Sequence, residues 1–114
     1  MFADREFSNI RVVGVTFKDR QSVVADLSVE EEVFLEREPD NYYDHNAIKV
    51  VRENGQQIGY LNRMLALELS RGMDTMGKTR IPAQVVAVTG GHDHHSYLGV
   101  QISFTAPVLE TIYP

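Results

Sequence analysis

The chain reads as one mainly-β domain: a small barrel of six strands, closed or half-open, with one clear helix and room for a second. Three observations predict it. Short runs rich in β-branched and aromatic residues recur along the chain, as pleated, half-buried strands require. Asn54-Gly55 stands between two such runs, a hairpin signal because both residue types accept positive φ. After Asn62 the apolar spacing switches once from two to three and four, which marks a single helix. Strands in this number with one helix bury their apolar faces by curling on themselves.

The elements follow in order. Residues 1–9 are expected to be an N-terminal extension, and the domain proper to run over 10–106. Ile10–Phe17 (IRVVGVTF) predicts the first strand, with Val13, Val15 and Phe17 on one face by the period of two. Gln21–Leu27 is either a short helix or an irregular turn, since QSVVADL is brief and has no decisive period. Val33–Glu36 is a second strand. Ala47–Arg52 and Gln57–Leu61 are the two arms of the hairpin. Asn62 is placed to cap a helix whose apolar side includes Leu65, Leu69, Met73 and Met76, and Gly77 supplies its stop. Ile81–Thr89 and Leu98–Phe104 are two further strands, and 107–114 reads as a tail.

Composition bounds the function. With 114 residues, 43% of them hydrophobic, the chain suits one domain large enough to bury a core without disulfides. It has no cysteine, so nothing points to an oxidising compartment, a cysteine-type zinc finger or a thiol nucleophile. The first residues, MFADREFSN, carry charges where a signal peptide needs an apolar run, and no apolar stretch approaches membrane-spanning length. A cytoplasmic protein with no cofactor and no membrane partner is expected. The net charge of −5 argues against a long grip on a nucleic-acid backbone, which needs a basic face. Any nucleic-acid contact is therefore expected to involve few phosphates, with Lys18, Arg20, Arg37 and Arg63 as the nearby cations.

The densest chemistry lies in Leu35–Lys49, LEREPDNYYDHNAIK. Pro39, Asp40 and Asn41 are turn formers, because proline presets φ and Asx side chains bond their own backbone. Tyr42 and Tyr43 put aromatic faces beside Asp44, His45 and Asn46, so one loop offers both stacking surface and hydrogen-bonding groups. The order of these residues resembles the HIRAN domain family. The resemblance is carried by Val12-Val13-Gly14 with Phe17; by Leu35, Arg37-Glu38-Pro39, Asn41, Tyr43-Asp44, Asn46-Ala47-Ile48 and Val50; and by Gly55, Ile58-Gly59 and Leu61. It covers about residues 10 to 104.

The resemblance implies a six-stranded OB-like β-barrel that holds the 3′ end of single-stranded DNA, working beside a helicase or nuclease in repair, replication or phage DNA processing. A strand end presents a base with two π-faces, a phosphate and a free hydroxyl. The resemblance makes Phe17 and Tyr43 the leading stacking residues, with Tyr60 and Tyr97 behind them. Lys18 and Arg63 would meet phosphate. Asp44 would accept from the 3′-hydroxyl and repel a 3′-phosphate, so one carboxylate would read the end.

Simpler roles stand beside these. Tyr43 serves equally well as a loop tie, Asp44 as an Asx-turn acceptor and Phe17 as core. The sequence also departs from the end-binding pattern: Thr16 stands where a basic residue precedes the aromatic, and Tyr42 where a proline precedes the tyrosine. A protein-interaction adaptor that keeps the barrel without the pocket is the second reading, and the acidic charge suits it. His92-Asp93-His94-His95 has metal-ligating residue types, but the glycines before it predict a loop rather than a fixed site. With no cysteine, no phosphate-cradling glycine loop and no two-metal carboxylate pattern, the chain reads as a binding module, not an enzyme.

Overall fold

The computed structural model describes residues 1–17, 19–91 and 96–110. It contains β1 (Phe2–Arg11), α1 (Arg20–Ala25), β2 (Glu32–Arg37), β3 (Ile48–Arg52), β4 (Gln57–Tyr60), α2 (Arg63–Thr75), β5 (Arg80–Gly90) and β6 (Leu98–Leu109). All six strands share one antiparallel sheet in the order β1-β6-β5-β2-β3-β4. The sheet curls until its two outer strands meet. Just beyond β1, the Val13 N–H donates to the Tyr60 carbonyl at 2.8 Å and the Tyr60 N–H donates back at 2.9 Å. The mainly-β half-barrel with two helices is thus the expected architecture, joined edge to edge by a single bridge.

The first strand differs from its expected position. It begins at Phe2 and ends at Arg11, pairing with β6 from Phe2↔Leu109 to Arg11↔Gln101. The stretch expected as an extension is therefore strand, and so are Pro107 to Leu109 of the expected tail. Asp4, Arg5 and Glu6, all exposed, hide this strand from an apolar pattern. What holds it is the ladder to β6 and Phe7, whose ring stacks on Phe104 at 5.1 Å. Past Val13 the chain turns at Gly14, where φ is +72°, and the Phe17 N–H donates to the Gly14 carbonyl. Val12 rather than Val13 enters the core, and Phe17 is left 56% exposed.

The other elements lie close to expectation. Gln21–Leu27 resolves into the short helix α1. In the β3–β4 hairpin only Gly55 takes positive φ, at +89°. The Gly55 N–H donates to the Arg52 carbonyl and the Arg52 N–H to that of Gln56, a three-residue loop with glycine in the left-handed position. The Asn62 side chain caps α2 by accepting from the Leu65 N–H at 2.9 Å. At the other end Lys78 N–H reaches the Met73 carbonyl and Gly77 N–H that of Asp74, which is a Schellman stop. Leu69 and Met73 are fully buried and Leu65 packs on the core. Met76, expected on the same face, falls at the C-cap and is 53% exposed. The core is filled by Leu35, Ile48, Ile58, Leu69, Met73 and Ile102. No helix among the described residues is long and apolar enough to cross a membrane.

Candidate functional site

The site begins with the loop between β2 and β3, residues 38–47. Its ends are tied by the Glu38 N–H on the Ala47 carbonyl at 2.9 Å, and its interior by turns closed at Asn41 and Ala47. The Asn41 side-chain oxygen accepts from the N–H groups of Tyr43 and Asp44, and one Asp44 oxygen accepts from the Asn46 N–H. The polar residues that predicted a turn thus satisfy its backbone. Arg37 fastens the loop to α2: its guanidinium donates to Asp74 and to the carbonyls of Ala47 and His45, with only 6% of its side chain exposed. Ser70 of α2 adds a bond to the Asn46 side chain.

The fastened loop forms one wall of an open cleft of about 940 Å³. Tyr42, Tyr43 and Asp44 line it from the loop, Val13, Gly14 and Phe17 from the turn after β1, and Arg20 from α1. Gln57 and Tyr60 come from β4, Arg63 and Ala66 from α2. Tyr42 and Tyr43 are 89% and 86% exposed, and their rings pack edge to face at 5.2 Å. Such exposure of two aromatics is costly in water and leaves their faces available for stacking.

Charge is distributed unevenly around the cleft. The second Asp44 oxygen lies 3.8 Å from Arg63 Nε. At the floor, one Glu38 oxygen accepts from the Tyr60 hydroxyl at 2.7 Å and from the Asn41 amide. Burial pushes the Glu38 carboxyl up, but those two hydrogen bonds, with the charges of Lys49 and Arg20, outweigh it and hold the group below the ordinary glutamate range. The Tyr60 hydroxyl moves the other way, raised first by burial and further by Glu38, against an opposing contribution from Gln57. Arg20 Nη1 donates to the Gly14 carbonyl at 2.9 Å, and its Cζ lies 5.2 Å from the Phe17 ring and 5.4 Å from that of Tyr60.

Of the residues singled out in the sequence, Phe17, Tyr43, Asp44, Tyr60 and Arg63 converge on this cleft. Tyr97 does not: it is exposed and lines a separate groove with Arg11, Thr16 and Thr89. Lys18 and the His92–His95 cluster lie outside the described residues. Arg37, named among the cations, is spent on the loop and α2. Tyr42, expected as aromatic loop surface, and Arg20, expected as a nearby cation, also line the cleft, as do Glu38 and Gln57, roles the sequence did not assign them. Glu38 sat within the quoted motif, but nothing in a string of residues says which side chains turn inward.

The HIRAN domain family matches residues 6–107, and the chain belongs to it. Over 83 residues, 73% of this chain, it is 37% identical to the mouse (Mus musculus) helicase-like transcription factor, and over 63 residues it is 38% identical to the Fanconi-associated nuclease 1 homolog of Arabidopsis thaliana. The chain spans about 7% of the length of each of these relatives. Among solved structures, the HIRAN domain of human HLTF superposes with a TM-score of 0.58 at 28% identity, covering 91% of this chain and 76% of that one. A Lactobacillus plantarum protein matches with a TM-score of 0.67 at 24% identity, covering 93% and 99%.

Proposed function

We propose that the chain is a single-stranded DNA-binding module that receives a 3′-hydroxyl end in the cleft between the β2–β3 loop, the turn after β1 and the start of α2. The observation that carries this reading is the convergence of Phe17, Tyr43, Asp44, Tyr60 and Arg63, drawn from separate elements, on one open surface. Exposed aromatic faces accept any base, each stack contributing about 1–3 kcal/mol. Asp44, with one oxygen directed toward Arg63 rather than into the turn, accepts from a terminal hydroxyl and repels a terminal phosphate. Because the chain is acidic, few phosphates are engaged and the salt dependence of binding is shallow. Helicase-like and nuclease relatives support a role beside such an enzyme in DNA repair, replication or phage DNA processing, with catalysis supplied by the partner. The test is a titration with short labelled single strands ending in 3′-hydroxyl or 3′-phosphate. Preference for the hydroxyl supports the reading, and equal affinity for both ends defeats it.

One observation favours a second reading. Met64 and Leu67 stand exposed on α2, the helix that contributes Arg63 and Ala66 to the cleft, beside a chain of net charge −5. An apolar, acidic surface of this kind suits a protein-interaction adaptor of a DNA-processing complex. Absence of single-strand binding up to high micromolar concentration would favour it.

A further inference from the structure

We infer that Arg20 anchors the phosphate nearest the strand end, an assignment that rests on the single-strand reading above. Arg20 is the first residue of α1, yet its side chain turns back over the cleft instead of into solvent. One guanidinium nitrogen is pinned to the Gly14 carbonyl at 2.9 Å, and the group lies over both the Phe17 and Tyr60 rings. Its remaining N–H groups form a donor fork with the geometry that recognises a phosphate. Arg63, the other described arginine of the cleft, is 80% exposed and already faces the Asp44 carboxylate. Arg20 makes no ion pair within 4 Å among the described residues. The Arg20 charge is felt by Glu38, one of whose oxygens is already taken by Tyr60 and Asn41. The cleft therefore has a polarity: carboxylate on the loop side at Asp44, an available cation on the α1 side at Arg20. A terminal nucleotide stacked on the aromatics sits with its hydroxyl toward the first and its phosphate toward the second. Thr16, immediately before Phe17, lines the other groove and has no part in this contact.

The experiment pairs variants with neutralised ligands. Short 3′-hydroxyl single strands are titrated into the full chain, with each of the phosphodiesters nearest the 3′ end replaced in turn by an uncharged methylphosphonate. The unaltered protein should lose about 10-fold in affinity at one linkage, the loss expected for one charge-assisted hydrogen bond. Arg20→Gln, which keeps a donor for the Gly14 carbonyl, should show that loss with every ligand and be indifferent to neutralising that linkage. Its salt slope should fall by about 0.7, the release of one counterion from a single strand, while Arg20→Lys restores the slope. The assignment is overturned if the unaltered protein ignores every neutral linkage, a result that needs no variant to fold. It is equally overturned if Arg20→Gln and the unaltered protein lose the same factor at the same linkage. Undiminished binding by Arg20→Gln removes the Arg20 assignment alone, whereas failure of the unaltered protein to bind any single strand removes the single-strand reading and this assignment with it.

Discussion

Replacing Gly59 with alanine should open the barrel. A Cβ built on Gly59 falls well inside van der Waals contact distance of the Val13 carbonyl oxygen and 2.9 Å from Val12 Cγ1. The first obstacle is backbone, so no rotamer change relieves it. The chain must move either β4 or the Val12–Val13 segment, and the segment carries both hydrogen bonds of the Val13–Tyr60 bridge. Two such bonds at about 1 kcal/mol net each, with overpacking of about 1–3 kcal/mol partly relieved by their loss, give a destabilisation of about 2–4 kcal/mol. For a domain of this size that corresponds to a fall in Tm of about 8–16 °C. Urea unfolding followed by circular dichroism measures the free energy, and amide exchange at Val13 and Tyr60 reports the bridge itself. Gly55→Ala is the control: nothing lies within 4 Å of its Cβ, and only the φ of +89° opposes the change, at about 1–2 kcal/mol, with Val13 still protected. Stability of Gly59→Ala within about 0.5 kcal/mol of the unaltered protein, with both amides protected, would refute the closure argument.

Four further outcomes follow from the cleft. Tyr43→Ala should weaken single-strand binding by one stacking contribution, about 1–3 kcal/mol, measured by anisotropy. Asp44→Ala should erode discrimination between 3′-hydroxyl and 3′-phosphate ends more than it lowers overall affinity; the ratio of the two dissociation constants reports it. Arg37→Ala removes the tie between the 38–47 loop and α2, costing about 1–3 kcal/mol of stability, and the same variant should bind more weakly although Arg37 does not line the cleft. For Glu38, whose folded carboxyl lies below its ordinary value of 4.5, the stabilisation is present above that pH and is lost as pH falls through the lower, folded value. Glu38→Gln should therefore flatten the acid limb of a stability–pH curve; an unchanged limb would show that Glu38 does not contribute.

The sequence exposed those parts of the fold whose signals are local. The hairpin at Asn54-Gly55, the Asn62 cap and the Gly77 stop were legible because each is specified by a residue or two whose chemistry demands that geometry. β1 was misplaced because its pairing is non-local. Asp4, Arg5 and Glu6 carry no apolar alternation, and only β6, close to a hundred residues away in sequence, explains why they are extended. For the same reason the period of two groups Val13, Val15 and Phe17 on one face without showing that Val12 is the residue buried: the Val13 backbone is held by the edge-to-edge bridge with Tyr60, which no period within the strand reveals. The site divides likewise. Phe17, Tyr43, Asp44, Tyr60 and Arg63 were found through the family motif. Arg20 and Glu38 take their places through side-chain direction, and Tyr97, within the span of the resemblance but far in sequence from its motif residues, faces another groove.

Charge then limits what the cleft can hold. Several of the described cations are spent on the protein's own carboxylates: Arg37 on Asp74, Arg52 on Glu31 and Asp26, Arg80 on Glu36, Lys49 between Glu36 and Glu38. A long nucleic-acid backbone lying across this surface would meet carboxylates, which displace none of its condensed counterions, so its binding would draw little on the entropy that drives nonspecific association. A strand end asks for much less. It brings one or a few phosphates, which the cleft's arginines can meet, and a hydroxyl, which an acidic residue favours. The acidity that argues against groove or duplex binding is thus compatible with the end recognition proposed above, and would sharpen it: an Asp44 carboxylate placed to accept a terminal hydroxyl would also raise the cost of threading an uninterrupted phosphodiester past the same point.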